Sequence, residues 1–545
     1  MKVVDAIAHI LKAEGVEILF AYPVNPIIES AAKLDIRTII VRQERTGIHM
    51  ADAFSRMSSG QRIGVFCMQN GPGTENAFGG VAQAYSESVP MLILPAGNAR
   101  QHAFVQPNFS SLINFREITK SCEQITVPEA LPAAMRRAFS AIKNGRPRPA
   151  LVEIPADLFE EELPEPLDYR PASSFNSGPD LEAVDQAAAA LLDARRPIIY
   201  AGQGVHYSQA WQELKELAEL LEIPVTTSLA GKSAFPENHP LSLGSGGNTY
   251  PKTVNDFLNN ADLVFGIGCS FSHTIFGVPL PFGKTIIHST LDPDDINRDI
   301  DADYALVGDA CQILKALLAN ISDRLGGKPR GLINEVTAEI KSVKDEWMGK
   351  WMPKLISDEV PLTPYRVIWN LMHTVDVANT IITHDSGSPR DQISPFWEPL
   401  TPLSYIGWGK STQLGYGLGL AMGAKLSMPD KLCINVWGDA AIGFTGMDFE
   451  TAVRERIPIL SILFNNFSMA IEIPIMPVSQ KKYGATEISG NYADMAKAFG
   501  GYGERITSPD EIIPALQRGI KQTQEGVPAL LEFITKKEIE YSKFK

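Results

Sequence analysis

The stretch from Val436 to Asn466 constrains the fold of this chain more than any other. Val436-Trp-Gly-Asp439 closes an apolar run, residues 449–456 have the pattern of a helix, and Leu460-Ser-Ile-Leu-Phe464 runs straight into Asn465-Asn466. Strand, helix, strand in that order is a parallel β-α-β unit, because parallel strands need a crossover long enough to hold a helix. Asp439 and Asn466 then fall at the carboxyl ends of parallel strands, where open α/β sheets bind ligands. A carboxylate and a carboxamide placed there make half of an oxygen cage for a hard divalent cation. Mg²⁺ takes such a site with near-octahedral geometry and shares it with phosphate oxygens.

The same alternation recurs along the chain. Residues 1–160 interleave short Val/Ile-rich runs at 38–41, 63–68, 91–95 and 150–154 with helical patterns. Residues 155–180 carry several prolines and Ser-Ser-Phe-Asn-Ser-Gly, the composition of a linker. A second block, 181–322, has strand patterns at 197–201, 224–228, 263–267 and 285–288. A connector of alternating charge at 341–350 leads to a third block, 363–535, and residues 536–545 form a basic tail. The expected fold is α/β, with three doubly wound parallel-sheet domains, the first and third alike in pattern though not in sequence. With 545 residues the chain is long enough for three domains of roughly 100–200 residues each.

Composition excludes several function classes. A net charge of −14 argues against a nucleic-acid partner. No apolar run approaches the ~20 residues that a membrane span needs, and the opening Met-Lys-Val-Val-Asp-Ala reads as the start of an amphipathic helix rather than a signal peptide. Cys67, Cys122, Cys269, Cys311 and Cys433 are scattered and odd in number. That usage fits reduced thiols in a cytoplasmic protein better than disulfides or zinc ligands.

Further segments carry candidate chemistry. Glu44 opens a helix after the strand ending at Val41, where a carboxylate is favoured by the helix dipole. Gln69-Asn-Gly-Pro-Gly-Thr-Glu-Asn76 is a glycine-bearing turn that lets backbone approach a ligand, with Asn76 expected to begin the next helix. Gly407-Trp-Gly-Lys-Ser-Thr-Gln-Leu-Gly-Tyr-Gly417 precedes a helix of small residues. Asn466-Phe-Ser-Met-Ala-Ile-Glu472 places a carboxylate just beyond the cation motif, within reach of general acid-base work. Ala201-Gly-Gln-Gly-Val205 follows a strand in a nucleotide-loop pattern that is weak by itself.

Gly438-Asp439-Ala440…Asn465-Asn466 resembles the Gly-Asp-Gly…Asn-Asn signature of thiamine diphosphate (ThDP) enzymes of the acetolactate synthase, pyruvate oxidase and 2-oxo acid decarboxylase type. Ala440 stands where that family has Gly or Ser. The resemblance covers nearly the whole chain and implies a set of roles. Asp439, Asn466 and the Ser468 carbonyl would hold Mg²⁺ against the cofactor diphosphate, beside Gly438, Ala440 and Ala441. Glu44, in Gln43-Glu44-Arg-Thr-Gly where the family has His-Glu-x-x-Ala, would face N1′ of the aminopyrimidine, with Asn76 nearby. Leu414 would prop the cofactor into its bent form, and Ser386 and Ser388 would contact diphosphate or substrate. Because the family's glutamate serves cofactor held by another subunit, a homodimer is implied at minimum, with a homotetramer as the expected assembly.

Substrate signals point in more than one direction. The 466–472 segment resembles 2-oxo acid decarboxylases, which assigns Glu472 to proton management, but their His-His pair and early Asp are absent. His102-Ala-Phe-Val-Gln106-Pro and Phe115-Arg-Glu-Ile-Thr-Lys120 resemble acetolactate synthases, which places Gln106 in the site. Tyr22-Pro-Val and Gly443-Phe-Thr-Gly-Met-Asp-Phe-Glu-Thr resemble oxalyl-CoA decarboxylase and 2-hydroxyacyl-CoA lyase. The primary expectation is ThDP- and Mg²⁺-dependent decarboxylation of a 2-oxo acid, with protonation or carboligation of the resulting enamine. The alternative is action on CoA thioesters. In the middle block, Gly268-Cys-Ser-Phe271 lacks the Arg that FAD-binding relatives carry, which weakens the case for FAD, ADP or CoA there. The basic tail is expected to be a solvated terminus.

Overall fold

The computed structural model describes residues 1–544. Three sheets of six strands each succeed one another, and every strand pairing within them is parallel. The first contains β1 (Ile18–Ala21), β2 (Arg37–Ile40), β3 (Gly64–Met68), β4 (Met91–Gly97), β5 (Ser121–Gln124) and β6 (Pro149–Pro155), in the order β2-β1-β3-β4-β6-β5. The second contains β7 (Pro197–Ala201), β8 (Val225–Ser228), β9 (Ser242–Gly246), β10 (Leu263–Ile267), β11 (Thr285–Thr290) and β12 (Tyr304–Val307), in the order β12-β11-β10-β7-β8-β9. The third contains β13 (Thr380–His384), β14 (Tyr405–Ile406), β15 (Leu432–Gly438), β16 (Leu460–Asn465), β17 (Tyr502–Ile506) and β18 (Ala529–Ile534), in the order β14-β13-β15-β16-β18-β17.

The first and third orders are the same permutation, so the likeness read from the sequence is a likeness of topology. The second differs. Read from β7, its order is 3-2-1-4-5-6, that of dinucleotide-binding sheets. Central strands such as β3, β4, β7 and β10 are buried along their whole length, as strands covered by helices on both faces must be. Edge strands β5, β9 and β12 escaped the sequence reading because they are polar, glycine-bearing or half-exposed. Hydrophobic continuity cannot mark such segments.

The first and third sheets share one core through the helices Glu44–Arg56 and Tyr416–Ser427. These helices approach closely because one presents glycine: a Cβ on Gly423 would stand 2.2 Å from the Met50 carbonyl oxygen. Across the same contact the buried Asp52 carboxylate pairs with Arg56 at 2.6 Å and accepts the Tyr416 hydroxyl. Arg56 also donates to the Gly407 carbonyl at 3.0 Å. Every member of this buried network is satisfied, the condition under which such a network fixes geometry.

Three expectations are corrected or extended. The helix after β3 begins at Pro72, not Asn76, because proline suits the first helical position, where its missing N–H costs nothing. The helix after β15 begins at Asp439 itself and runs to Thr445, with a second helix at Phe449–Arg454. The C-terminal tail is not a solvated terminus. Glu538 and Ser542 are buried, Ser542 accepts the Tyr250 N–H at 3.0 Å, and Tyr365 donates to the Glu540 carbonyl at 2.6 Å. Lys545 lies outside the described residues.

Candidate active site

At the third sheet the order reverses between β13 and β15, and the loops after β13, β15 and β16 converge there. Asp439 is the first residue of its helix and only 4% exposed. Its Oδ1 accepts the Ala440 N–H at 2.9 Å, and its Oδ2 accepts the N–H groups of Asn466 and Ser468, each at 3.1 Å. Phe467, between those donors, has φ +57°. That left-handed turn, uncommon for a non-glycine residue, brings both N–H groups onto one oxygen. Burial raises the Asp439 carboxyl above its ordinary range, and the backbone donors oppose the shift. The Asn466 Oδ1 is buried with no hydrogen-bond partner in the protein. Orphaned buried acceptors are rare and call for an explanation; a cation beside Asp439 would supply one.

A cavity of about 90 Å³ opens at this point. Gly438, Asp439, Ala440, Ala441, Asn466 and Ser468 line it, together with Ser386, Ser388, Leu414 and Glu472 from the neighbouring loops. Ser386 donates through Oγ to the Thr412 carbonyl at 3.3 Å. Ser388 opens the short helix Ser388–Ile393, and its Oγ meets the Tyr541 hydroxyl of the C-terminal tail at 2.9 Å. Glu472 ends a single 3₁₀ turn, Ala470–Glu472, half-buried at the rim.

Sequence reasoning missed Asp385. It is fully buried, and its carboxylate accepts the N–H groups of Ser386 and Gly415 at 2.8 Å and of Gly417 at 2.9 Å. It therefore ties the Ser386 loop to the backbone on the far side of Leu414. Burial pushes its carboxyl up to about 6, against the three N–H donors. A lone Asp after a strand gives no signal of this. Tyr541 was missed as well, since nothing local says that the tail returns to the sheet.

Glu44 stands apart from that cavity. It is the first residue of the Glu44–Arg56 helix and 2% exposed. Burial raises its carboxyl above the usual range, opposed by its own backbone N–H and by the Asn76 side chain. Gly73 makes room for it: a Cβ there would lie 3.2 Å from Glu44 Oε1. Its neighbour Gln43 donates to the Phe444 carbonyl at 2.5 Å, which ties this helix start to the helix that Asp439 opens. Asn76 is exposed one turn into its helix, and Gln106 is exposed on the loop after β4. None of these three lines the cavity. Glu44 on the first sheet and the oxygen cluster around Asp439 on the third are thus separate features of the chain.

The donor set fits Mg²⁺: an anionic carboxylate, an unpartnered amide oxygen and a loop carbonyl, all oxygen.

Three family profiles match the chain: thiamine pyrophosphate enzyme, N-terminal TPP binding domain over residues 1–113, central domain over 184–317 and C-terminal TPP binding domain over 385–533. Among similar proteins, a probable acetolactate synthase large subunit of Methanocaldococcus jannaschii is 31% identical over 98% of this chain and 92% of its own length. The acetolactate synthase isozyme 3 large subunit of Escherichia coli is 26% identical, covering 96% of this chain and 92% of its own length. The acetolactate synthase large subunit of Corynebacterium glutamicum is 27% identical, with 97% and 86% covered.

Proposed function

Because the chain belongs to the thiamine pyrophosphate enzymes, as a ThDP-dependent enzyme of the acetolactate synthase type, we propose that it decarboxylates a 2-oxo acid and joins the remaining acyl unit to a second 2-oxo acid. The carrying observation is that Asp439 lines one cavity with Asn466, whose amide oxygen is buried without a protein partner. Asp439, Asn466 and the Ser468 carbonyl would hold Mg²⁺, and Ser386 and Ser388 would donate to diphosphate oxygens. Bound ThDP supplies the electron sink that lets the bond beside a 2-oxo carbonyl break.

The protein's own groups do the rest. Glu44, biased toward its protonated form by burial, would hold a proton on its carboxyl oxygens for exchange with the pyrimidine of the cofactor. A carboxyl tuned toward neutrality suits such proton transfer. Leu414, in the wall of the cavity, would support the cofactor, and Glu472 at the rim would move protons to and from substrate.

The separation of Glu44 from the cage supports a homodimer in which each cavity is completed by Glu44, Asn76 and Gln106 of a second subunit. Exposed apolar side chains lie on the segments that carry the site residues: Phe104 and Val105 beside Gln106, Phe444 in the helix that Asp439 opens, and Phe467 and Ile475 near Ser468 and Glu472 in sequence. Exposed apolar surface of this kind favours an interaction face. A homotetramer formed from such dimers is the proposed assembly. Among the described residues no helix is long and apolar enough to cross a membrane, in keeping with the proposed cytoplasmic location.

The test is turnover by the protein loaded with ThDP and Mg²⁺. Pyruvate, longer 2-oxo acids, oxalyl-CoA and a 2-hydroxyacyl-CoA are offered separately, and CO₂, aldehyde and ligated hydroxy-oxo acid are followed. CO₂ together with ligated product from free 2-oxo acids is the expected result. Turnover confined to the CoA esters would overturn the proposal.

A further inference from the structure

The last residues of the chain return to the cavity at Asp439. Thr535 and Lys536, which follow β18, line it, and the segment beyond them is fixed on both sides of Tyr541. Lys354 pairs with Glu538 at 2.9 Å, and Tyr365 donates to the Glu540 carbonyl at 2.6 Å. Trp347 donates through Nε1 to Ser542 Oγ at 3.0 Å, and Ser542 Oγ donates to the Tyr250 carbonyl at 2.7 Å. Tyr541 is thereby held against Ser388, one of the residues that line the cavity.

The helix that Ser388 opens is held as well. Its Asp391 accepts the Asn248 amide at 2.7 Å through Oδ2 and the Thr249 hydroxyl at 2.8 Å through its carbonyl. Hydroxyl protons rotate to suit their neighbours, so with both backbones anchored the direction of the Ser388 proton is the freedom that remains.

Proton counting decides that direction. Tyr541 and Ser388 carry one hydroxyl proton each. The Tyr541 oxygen lies 2.9 Å from Ser388 Oγ and 3.2 Å from the Glu538 carbonyl, which can only accept. While Tyr541 donates to that carbonyl, the Ser388 proton must make the contact between the two hydroxyls. Ser388 then turns only lone pairs to the cavity, the wrong polarity for a phosphate oxygen. With the Tyr541 proton rotated to Ser388 Oγ, the nearer of its two acceptors, the Ser388 proton is free to point at an anion. A hydroxyl that accepts a hydrogen bond is also a stronger donor. Burial pushes the Tyr541 hydroxyl up to about 12, so it keeps its proton at neutral pH.

Granted the reading above that this cavity holds the cofactor diphosphate, we infer that Tyr541 is a positioning residue for it, donating to Ser388 Oγ and so turning the Ser388 hydroxyl toward the phosphate. The C-terminal tail then belongs to the cofactor site without touching the cofactor.

The test reads binding rather than turnover. The full chain and its variants are titrated calorimetrically with ThDP at saturating Mg²⁺, and circular dichroism checks that each is folded. Tyr541→Phe keeps the ring and removes the proton, and should weaken ThDP about three- to tenfold. Ser388→Ala should weaken it by at least as much, and Tyr541→Phe should add nothing in that background. In Ser388→Thr, which restores a hydroxyl, the loss on Tyr541→Phe should return. A tail contact that only supports the fold would give the same loss in every background. That pattern, unchanged affinity in Tyr541→Phe, or unchanged affinity in Ser388→Ala would each overturn the inference. Asp439→Ala, titrated alongside, separates this failure from failure of the wider reading. Undiminished ThDP affinity in that variant would remove the diphosphate from the cavity, and the role of Tyr541 with it; a large loss there beside no change in Tyr541→Phe would overturn the role of Tyr541 alone.

Discussion

Asp439 Oδ2 receives the Ser468 N–H at 3.1 Å across twenty-nine residues of sequence, and it receives the Asn466 N–H at the same distance. One carboxylate oxygen therefore organises the loop whose remaining oxygens face the cavity. Asp439→Ala removes both the proposed cation ligand and the anchor of that loop. Thiamine diphosphate affinity, measured by quenching of intrinsic fluorescence at fixed Mg²⁺, should fall by at least about 100-fold. Affinity within a factor of two of wild type would remove Asp439 from the proposed cage.

Glu44→Gln keeps the shape of the side chain and removes its proton chemistry. Turnover should drop by about 10²–10⁴-fold, with cofactor affinity changed little. The raised Glu44 carboxyl has a second consequence. Its folded form holds its proton more tightly than the unfolded chain, so its contribution to stability is greatest at low pH and is lost as pH rises through the folded value. Above that pH the Gln variant should be at least as stable as wild type in urea unfolding.

Gly73→Ala tests position rather than chemistry. The new methyl would stand 3.2 Å from Glu44 Oε1 and 2.9 Å from Gln69 Cγ. Overpacking of this kind costs about 1–3 kcal/mol of stability, yet the proposed proton path depends on placement to well within 1 Å. Turnover should therefore fall by more than about tenfold while the protein remains folded by circular dichroism. Full activity would show that Glu44 tolerates displacement and plays a looser part.

Tyr416→Phe leaves one oxygen of the buried Asp52 with fewer partners, although Arg56 stays in place. A hydrogen bond lost to a buried charge costs about 1.5–3 kcal/mol, measurable as a lower midpoint in denaturant. Because this contact joins the first and third sheets, loss of stability should come with a less cooperative transition.

Asp385 gives a pH signature. Burial sets its carboxyl at about 6 in the folded protein, from an ordinary value of 3.8. The folded state thus binds its proton more tightly, and stability from this group is full below the unfolded value and falls as pH rises through about 6. The span is at most about 3 kcal/mol at 1.36 kcal/mol per pH unit. Urea midpoints between pH 4 and 7 should carry this component in wild type and lack it in Asp385→Asn.

The alternation of apolar runs and helical patterns was enough to give three parallel sheets, because each short run flanked by helices admits few other arrangements. The Gly-Asp…Asn-Asn spacing was enough to place Asp439 and Asn466 at strand ends, since strand ends are local facts. What lay outside the reach of sequence was whatever depends on segments distant along the chain. Asp385 acquires its role only because Gly415 and Gly417 return to it, and Tyr541 only because the tail folds back onto Ser388. Lys410 meets Ser270, in another domain, only because packing brings their two loops together. Local pattern determines where strands and helices form; the burial and charge that decide what a side chain does are set by neighbours that only the folded chain brings together.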